Sequence, residues 1–264
     1  MSFPIAINLD WEEMTSTSVT QKYPLGTVGR MLDGRSFRYA KNGGAVLRVG
    51  SIVVAKAPLA SAAGGTSGPL AIESGTTQTS TWRTLQLETT FTTLDAKDFY
   101  KDGWLWISST GHYTICGQQL QIKSSKAHTA SSTLLELTLY DNQRLLHTLT
   151  SSDAGPCVSL NPYDSVIVDA QGTAALTGAV VGIPPIGVAI SYYFWLQTWG
   201  LAAIESGTAA AAFGSGVVSS TDAANTGIDD IYATTGIGGY QSIGVLVTGS
   251  VAGGYALVDL RINP

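Results

Sequence analysis

Charged residues are scarce in this sequence. They make up 12% of its 264 residues, whereas hydrophobic residues make up 44%. An ordinary soluble domain carries about 25% charged residues. Serine, threonine, glycine and alanine stand where most proteins place lysine and glutamate. Because such a surface does little to keep monomers apart, the composition favours a protein that lies packed in an assembly.

Basic residues are outnumbered: 14 lysines and arginines stand against 19 acidic residues, for a net charge of −5. The densest basic set is Arg30, Arg35, Arg38 and Lys41, which is flanked by Asp33. A nucleic-acid-binding domain typically carries a basic patch or stripe. We therefore predict no nucleic-acid partner. This set is interpreted as a solvated strand face, with a phosphate-binding surface as the alternative.

Cysteine and histidine are too few for a disulfide framework or a metal centre. Cys116 and Cys157 are the only cysteines, and His112, His128 and His147 the only histidines. His112 and Cys116 are four residues apart, but a strand-forming run separates them, so a metal-ligand pair is not favoured. The sequence contains no nucleotide-binding loop and no nucleophile elbow. It predicts a protein that is not an enzyme and uses no cofactor and no metal.

A six-residue segment occurs twice, at 71–76 and at 203–208. The flanking residues do not match, so gene duplication and chance both remain open. The repeat singles out Glu73 and Glu205 as the one symmetric acidic pair for glycoside cleavage. We interpret them as exposed loop residues. A calcium site formed by the loop carboxylates within 222–230 is an alternative, although a solvated turn is the better interpretation.

Long apolar runs are also absent. The most apolar stretch, 176–196, is interrupted by Pro184, Pro185 and several glycines. A membrane-spanning helix needs about 18 or more apolar residues in succession, so no membrane partner is predicted. Residues 1–6 lack the basic region of a signal peptide, and we expect synthesis in the cytoplasm.

What the sequence does contain is alternation of polar and apolar residues in short segments, such as 35–40, 82–88 and 255–262. In the last segment, Ala256 and every second residue after it form an apolar side, and Tyr255 and every second residue after it form the opposite side. The pairs Asp33–Gly34 and Asn42–Gly43 are typical of hairpin turns. We predict an all-β fold, an antiparallel sandwich or barrel of many short strands, with no helix longer than about 12 residues.

The most apolar β segment, 190–198, is predicted to cross the centre of the core, with Tyr193 and Trp195 or their alternates buried. Exposed tryptophans on β scaffolds often mark sugar-binding sites. Trp199 lies at the predicted end of this strand, and an exposed Trp199 that contacts a ligand is the alternative there. Core packing is nevertheless our interpretation for most tryptophans in apolar β runs, which are Trp104, Trp106, Trp195 and Trp199.

Residues 1–24 are predicted to form an extended N-terminal arm, followed by a β-rich structural domain over 25–264. A break between subdomains would fall in the Ala-, Gly-, Ser- and Thr-rich loop 57–81. Apolar residues take every second position of the arm, which is strand spacing. We predict that this stripe contacts another subunit or a capsid, although burial within one subunit is the alternative. Its residues are Phe3, Ile5, Ile7, Leu9 and Trp11.

Several segments resemble a group of phage structural proteins found beside major capsid genes. The most specific is Tyr-Tyr-Phe-Trp-Leu-Gln-Thr-Trp-Gly at 192–200. The others lie in the expected order along most of the chain, at 25–26, 33–39, 101–106, 161–163, 185–189 and 255–260. On these residues the chain is similar to capsid decoration (cement) proteins of tailed bacteriophages.

The resemblance implies a decoration protein, expected as a homotrimer, on the exterior of the capsid of a virion. The implied partners are the major capsid protein and other copies of the chain, and the family carries no catalytic motif. The alternative is a head- or tail-fibre protein that recognises host-surface glycans. A third class, a phage depolymerase, would need an acidic pair in a cleft and repeated β-helix rungs, which the sequence does not show.

Overall fold

The computed structural model describes most of the chain. The described residues are 6–56, 70–72, 77–78, 83–88, 96–108, 117–129, 133–150, 155–169, 178–207, 212–219, 227–230, 241–248 and 253–263. Contacts divide the chain into two units. The first unit is Met1–Lys56 with Pro162–Pro264, and the second unit, Ala57–Asn161, is inserted between these parts.

Nearly all regular structure in the described residues is β, which confirms the predicted all-β class. The elements are β1 (Ile7–Asn8), α1 (Trp11–Met14), β2 (Val28–Arg30), β3 (Ser36–Lys41), β4 (Val53–Val54), β5 (Ala71–Ile72), β6 (Thr77–Gln78), β7 (Thr84–Glu88), β8 (Trp104–Ile107), β9 (Gln119–Ser125), β10 (Leu134–Leu139), β11 (Leu149–Thr150), β12 (Pro156–Ser159), β13 (Ile167–Val168), β14 (Val180–Gly182), β15 (Tyr193–Glu205), β16 (Gly216–Ser219), β17 (Ile228–Asp230), β18 (Ser242–Leu246) and β19 (Tyr255–Arg261). In the described part of the chain no helix is long and apolar enough to cross a membrane.

The first unit contains two sheets. One has eight strands in the order β1-β2-β3-β15-β19-β18-β16-β17, and the other has three in the order β13-β4-β14. Its larger sheet is antiparallel except where β1 runs parallel to β2. Ile52 and Val54 from the smaller sheet's side share a core cluster with Ile204, Ile243 and Val258 of the larger sheet. This packing is that of a β-sandwich.

Strand β15 is the central strand of the first unit. Its first half pairs with β3, placing Trp195 opposite Tyr39, and its second half pairs with β19, placing Ala203 opposite Leu257. A register shift between Gln197 and Trp199 separates the halves. All residues from 194 to 198 are buried, which confirms the predicted core position of this segment.

The described N-terminal residues pack on the first unit, and an extended arm over 1–24 is not confirmed. Asp10 accepts a hydrogen bond from the Glu13 backbone N–H (2.7 Å) and caps the short helix α1. Leu9 and Met14 belong to the same core cluster as Trp195. Gly29 makes room for this packing, since a Cβ there would lie 2.4 Å from Leu9 Cδ1.

One of the two predicted hairpins forms and the other does not. Asp33–Gly34 lies in the turn between β2 and β3, and Gly34 has a φ of +88°. Asn42 instead is fully buried, and its Nδ2 donates to the carbonyls of Ala45 (2.8 Å), Val188 (3.1 Å) and Ala189 (3.0 Å). The Asn42–Gly43 hairpin was therefore wrong, because the Asn42 amide ties two distant loops together.

The second unit is a six-stranded sheet in the order β12-β8-β9-β10-β7-β5, together with the pair β11-β6. Alternate residues of its strands point into a single core rich in leucine. Members of that core are Leu85, Leu87, Leu105, Ile107, Leu120, Ile122, Leu135, Leu137 and Leu139.

Candidate interaction surface

The two central strands of the eight-stranded sheet present one row of side chains each to solvent. We call this surface the outer face. Inward residues such as Ala202 and Val258 are buried, and the residues between them point the other way. Members of the outer face are Trp199, Leu201, Ala203 and Glu205 on β15, and Tyr255, Leu257, Asp259 and Arg261 on β19.

The centre of the outer face is apolar. Ala203 lies directly opposite Leu257, and Leu201 lies opposite Asp259, which makes Leu201 and Leu257 diagonal neighbours. Leu201 is 50% exposed and Tyr255 is 57% exposed. Large apolar side chains therefore lie next to one another in water on the middle of the sheet.

The charges on the outer face form ion pairs. Arg261 Nη2 lies 2.9 Å from Asp259 Oδ2, and Arg48 Nη2 lies 3.3 Å from Glu205 Oε2. These two pairs leave the four groups with no net charge. A neutral, partly apolar surface is poorly matched to nucleic acid and is typical of a contact with another protein.

Tyr255 is held in place by the loop before β4. Its hydroxyl donates to the carbonyl of Val49 (3.2 Å). Gly50 has a φ of +72°, and a Cβ there would lie 2.8 Å from the Tyr255 ring. Glycine thus permits both the turn and the close approach of the ring. Val49 is itself exposed, and the Glu205 backbone N–H donates to the neighbouring Gly50 carbonyl (2.9 Å), so Val49 extends the apolar surface beyond β15.

A shallow cleft adjoins Trp199 at one end of the outer face, lined by Arg30, Met31, Gly34, Arg35, Ser36 and Trp199. Arg35 Nε lies 2.8 Å from Asp33 Oδ2. Desolvation acts to raise the pKa of Asp33, but hydrogen bonds from the Arg35 backbone N–H and guanidinium outweigh it and hold that pKa below its ordinary value.

Of the basic set, Arg30 and Arg35 line this cleft, whereas Arg38 and Lys41 do not. Arg38 donates to the Gly26 carbonyl (3.2 Å) and to Asn263 Oδ1 (2.7 Å). Lys41 Nζ lies 5.6 Å from the centre of the Tyr193 ring. Two of the four basic groups thus have other neighbours, which weakens the phosphate-site alternative.

The predicted contact stripe is divided by the structure. Phe3 and Ile5 lie outside the described residues, Ile7 is half-buried on β1, and Leu9 is buried in the chain's own core. Trp11 is the first residue of α1 rather than part of a strand, and it is 62% exposed. Leu9 is therefore unavailable to another subunit, while the prediction stands for Phe3, Ile5 and Trp11.

The other groups that the sequence singled out form no site among the residues that the structure describes. Glu73, His112, Cys116 and the side chains of the acidic residues within 222–230 lie outside the described residues. Cys157 is a free thiol whose pKa is raised by burial. In the described ranges, no three His, Cys, Asp or Glu side chains are grouped to hold a metal ion.

Sequence alternation anticipated the β19 half of the outer face but not the β15 half. The run Trp199 to Ile204 contains no polar side chain that would mark an outward side, which becomes visible only through its register with β19. No family model, curated protein or solved structure matches this chain.

Proposed function

We propose that the protein is a structural component of a virion that decorates a bacteriophage capsid. As an oligomer, expected to be a homotrimer, it bridges adjacent subunits of the major capsid protein on the capsid exterior. The proposal combines the sequence resemblance with one structural observation, the apolar and charge-neutral outer face. It assigns the chain no catalytic activity.

The outer face supports this proposal because water is an unfavourable neighbour for it. Covering the exposed halves of Leu201 and Tyr255 contributes on the order of 1 kcal/mol each. Within each of the ion pairs Asp259–Arg261 and Arg48–Glu205, the two charges neutralise each other. A neutral protein surface can therefore cover both pairs without leaving one charge unpaired.

Stabilisation of the capsid follows from mass action. A protein that binds only the assembled shell lowers the free energy of that state relative to free subunits. A trimer engages several capsid subunits at once, so three weak contacts combine into slow dissociation. The low charge of the chain suits this arrangement, because little charge is desolvated on contact.

The alternative is a fibre protein that recognises host glycans. Such a protein needs its recognition surface free for the host and its attachment surface covered by the particle. If the outer face were the recognition surface of a fibre protein, changing it would leave attachment to the particle intact, whereas a decoration protein would lose attachment. The two functions also predict different copy numbers.

The test is co-sedimentation of purified protein with particles of its own virus that lack it. Leu201→Asp and Tyr255→Asp each place an unpaired charge on the outer face, and Leu146→Asp is the matched control on an exposed leucine of the second unit. We expect the first two to abolish binding and the control to bind like wild type. Unchanged binding of both outer-face variants, with their folds intact, would refute the proposal.

A further inference from the structure

The second unit carries two tryptophans on the solvent side of its sheet. Leu105 and Ile107 of β8 point into the leucine core, so Trp104 and Trp106 point to the opposite side. The two tryptophans are two residues apart on one strand, so their Cα atoms are about 6.5–7 Å from each other. We call the surface around them the tryptophan face.

The strand registers fix the neighbours of these tryptophans. On β9, Gln121 lies opposite Trp104 and Gln119 lies opposite Trp106. On β12, Ser159 and Cys157 lie opposite the same two tryptophans. The pair is thus flanked by amides on one side and by small side chains on the other. All four neighbours are uncharged.

The tryptophan face is partly open to solvent. Trp106 is 38% exposed and Trp104 is half-buried. Neither indole N–H makes a hydrogen bond within the described part of the chain, and the same holds for the Gln119 side chain. β8 is an interior strand between β12 and β9, so its backbone is held on both sides and the platform is rigid. Gln143 Oε1 accepts from the Gln121 backbone N–H and fixes the neighbouring strand further.

Core packing does not explain these tryptophans. The opposite side of the sheet is already filled by leucine and isoleucine. Elsewhere on the solvent side, the cross-strand pairs Gln86–Glu136 and Thr84–Thr138 are polar, as expected for a wet surface. Trp104 and Trp106 are therefore the only aromatic residues at the described outward positions of these strands, which otherwise carry mostly polar side chains.

From these observations we infer that the tryptophan face binds a chain of uncharged pyranose sugars. Flat aromatic rings stack on the C–H faces of sugar rings, and the glutamine amides supply both donors and acceptors for hydroxyl groups. Single-stranded nucleic acid would also stack, but it needs cations for its phosphates. The nearest lysine on β9, Lys123, is paired with Asp141 at 3.0 Å. The inference does not depend on the capsid proposal, which concerns the first unit.

The test is isothermal titration calorimetry, which measures the binding of the full chain to three neutral hexasaccharides: cellohexaose, maltohexaose and N-acetylchitohexaose. Hexagalacturonate is the charged comparison. Trp104→Ala, Trp106→Ala and Gln119→Ala alter the tryptophan face, and Trp11→Ala is the control, since Trp11 is more exposed but stands alone on the first unit. Melting curves verify that each variant is folded.

We expect at least one neutral hexasaccharide to bind and hexagalacturonate to bind no more tightly. Each tryptophan variant should weaken binding by about tenfold or more, and Gln119→Ala should weaken it less. Trp11→Ala should bind like wild type. The inference is overturned if none of the neutral sugars binds, or if binding survives unchanged in Trp106→Ala and Gln119→Ala. It is also overturned if these variants leave sugar binding intact but lose attachment to particles, because the face would then be a protein contact.

Discussion

The hydroxyl of Tyr140 donates a 2.6 Å hydrogen bond to Oδ1 of Asp102, a carboxylate that is buried in the second unit. Asp102 has a left-handed backbone, with a φ of +62°, and its carbonyl accepts a 2.9 Å hydrogen bond from Asn161 Nδ2. Burial, and then the hydrogen bond and charge of Asp102, raise the pKa of Tyr140 well above its ordinary value of 10.0. This contact joins β10's end to the turn before β8.

Tyr140→Phe should lower the free energy of unfolding of the second unit by about 2 kcal/mol, because it leaves the Asp102 carboxylate without this donor. Chemical denaturation measures the change. Since the pKa of Tyr140 is raised on folding, its contribution is complete below about pH 10 and is lost as the pH rises further. The difference between Tyr140→Phe and wild type should therefore shrink at strongly alkaline pH. Tyr255→Phe, on an exposed tyrosine, is the control and should change stability little.

Trp195→Ala should lower the free energy of unfolding of the first unit by about 3–5 kcal/mol, since the side chain is fully buried. Its ring lies 5.1 Å from that of Tyr39 and 5.4 Å from that of Tyr23, so the cavity would open inside an aromatic cluster. Trp11→Ala, on an exposed tryptophan, should cost far less. Equal melting temperatures for the two variants would contradict the central position of β15.

Asn42→Asp should destabilise the first unit by at least about 3 kcal/mol at neutral pH. The substitution keeps the size of the side chain but replaces the donor that serves the carbonyls of Ala45, Val188 and Ala189 with a buried negative charge. Asn142→Asp is the same exchange on an exposed turn and should be nearly neutral. Thermal unfolding of both variants beside wild type measures the difference.

The contrast between these sites shows which parts of the fold the sequence could predict. Alternation over 255–262 and the apolar run around Trp195 report burial directly, and both predictions are confirmed. Asn42–Gly43 has the residues of a hairpin turn, but Asn42 bonds to carbonyls about 146 residues away in the chain. Local turn preferences carry no information about such a partner, so the hairpin prediction failed.

The surface residues show the same contrast. The stripe from Phe3 to Trp11 has strand spacing, yet Asp10 caps a helical turn that ends the strand and exposes Trp11. Trp104 and Trp106 read as core residues because their segment is apolar throughout. Only the sheet registers reveal that Leu105 and Ile107 already occupy the core side.

Asp164→Asn should stabilise the first unit at pH 7. Burial raises the pKa of Asp164, although Lys41 and the Ser165 hydroxyl act in the opposite direction. A carboxyl group with a raised pKa contributes stability below its ordinary pKa, and that contribution is lost as the pH rises through the folded-state pKa. At neutral pH the ionised form is therefore the unfavourable one, and asparagine avoids it.

Melting temperatures of Asp164→Asn and wild type should accordingly converge at about pH 3, where the carboxyl group is protonated. Asp33→Asn is the comparison of opposite sign, because the pKa of Asp33 is held below its ordinary value. That variant should give no stabilisation at neutral pH. A stabilised Asp33→Asn beside a destabilised Asp164→Asn would reverse the assignment.

The most direct test of the capsid proposal is the copy number of the protein in purified virions. Quantitative gel densitometry, calibrated against the major capsid protein, measures it. A decoration protein is expected at a copy number comparable with that of the major capsid protein. A total of no more than a few dozen copies would indicate a fibre or tail protein, and absence from purified virions would contradict a structural role altogether.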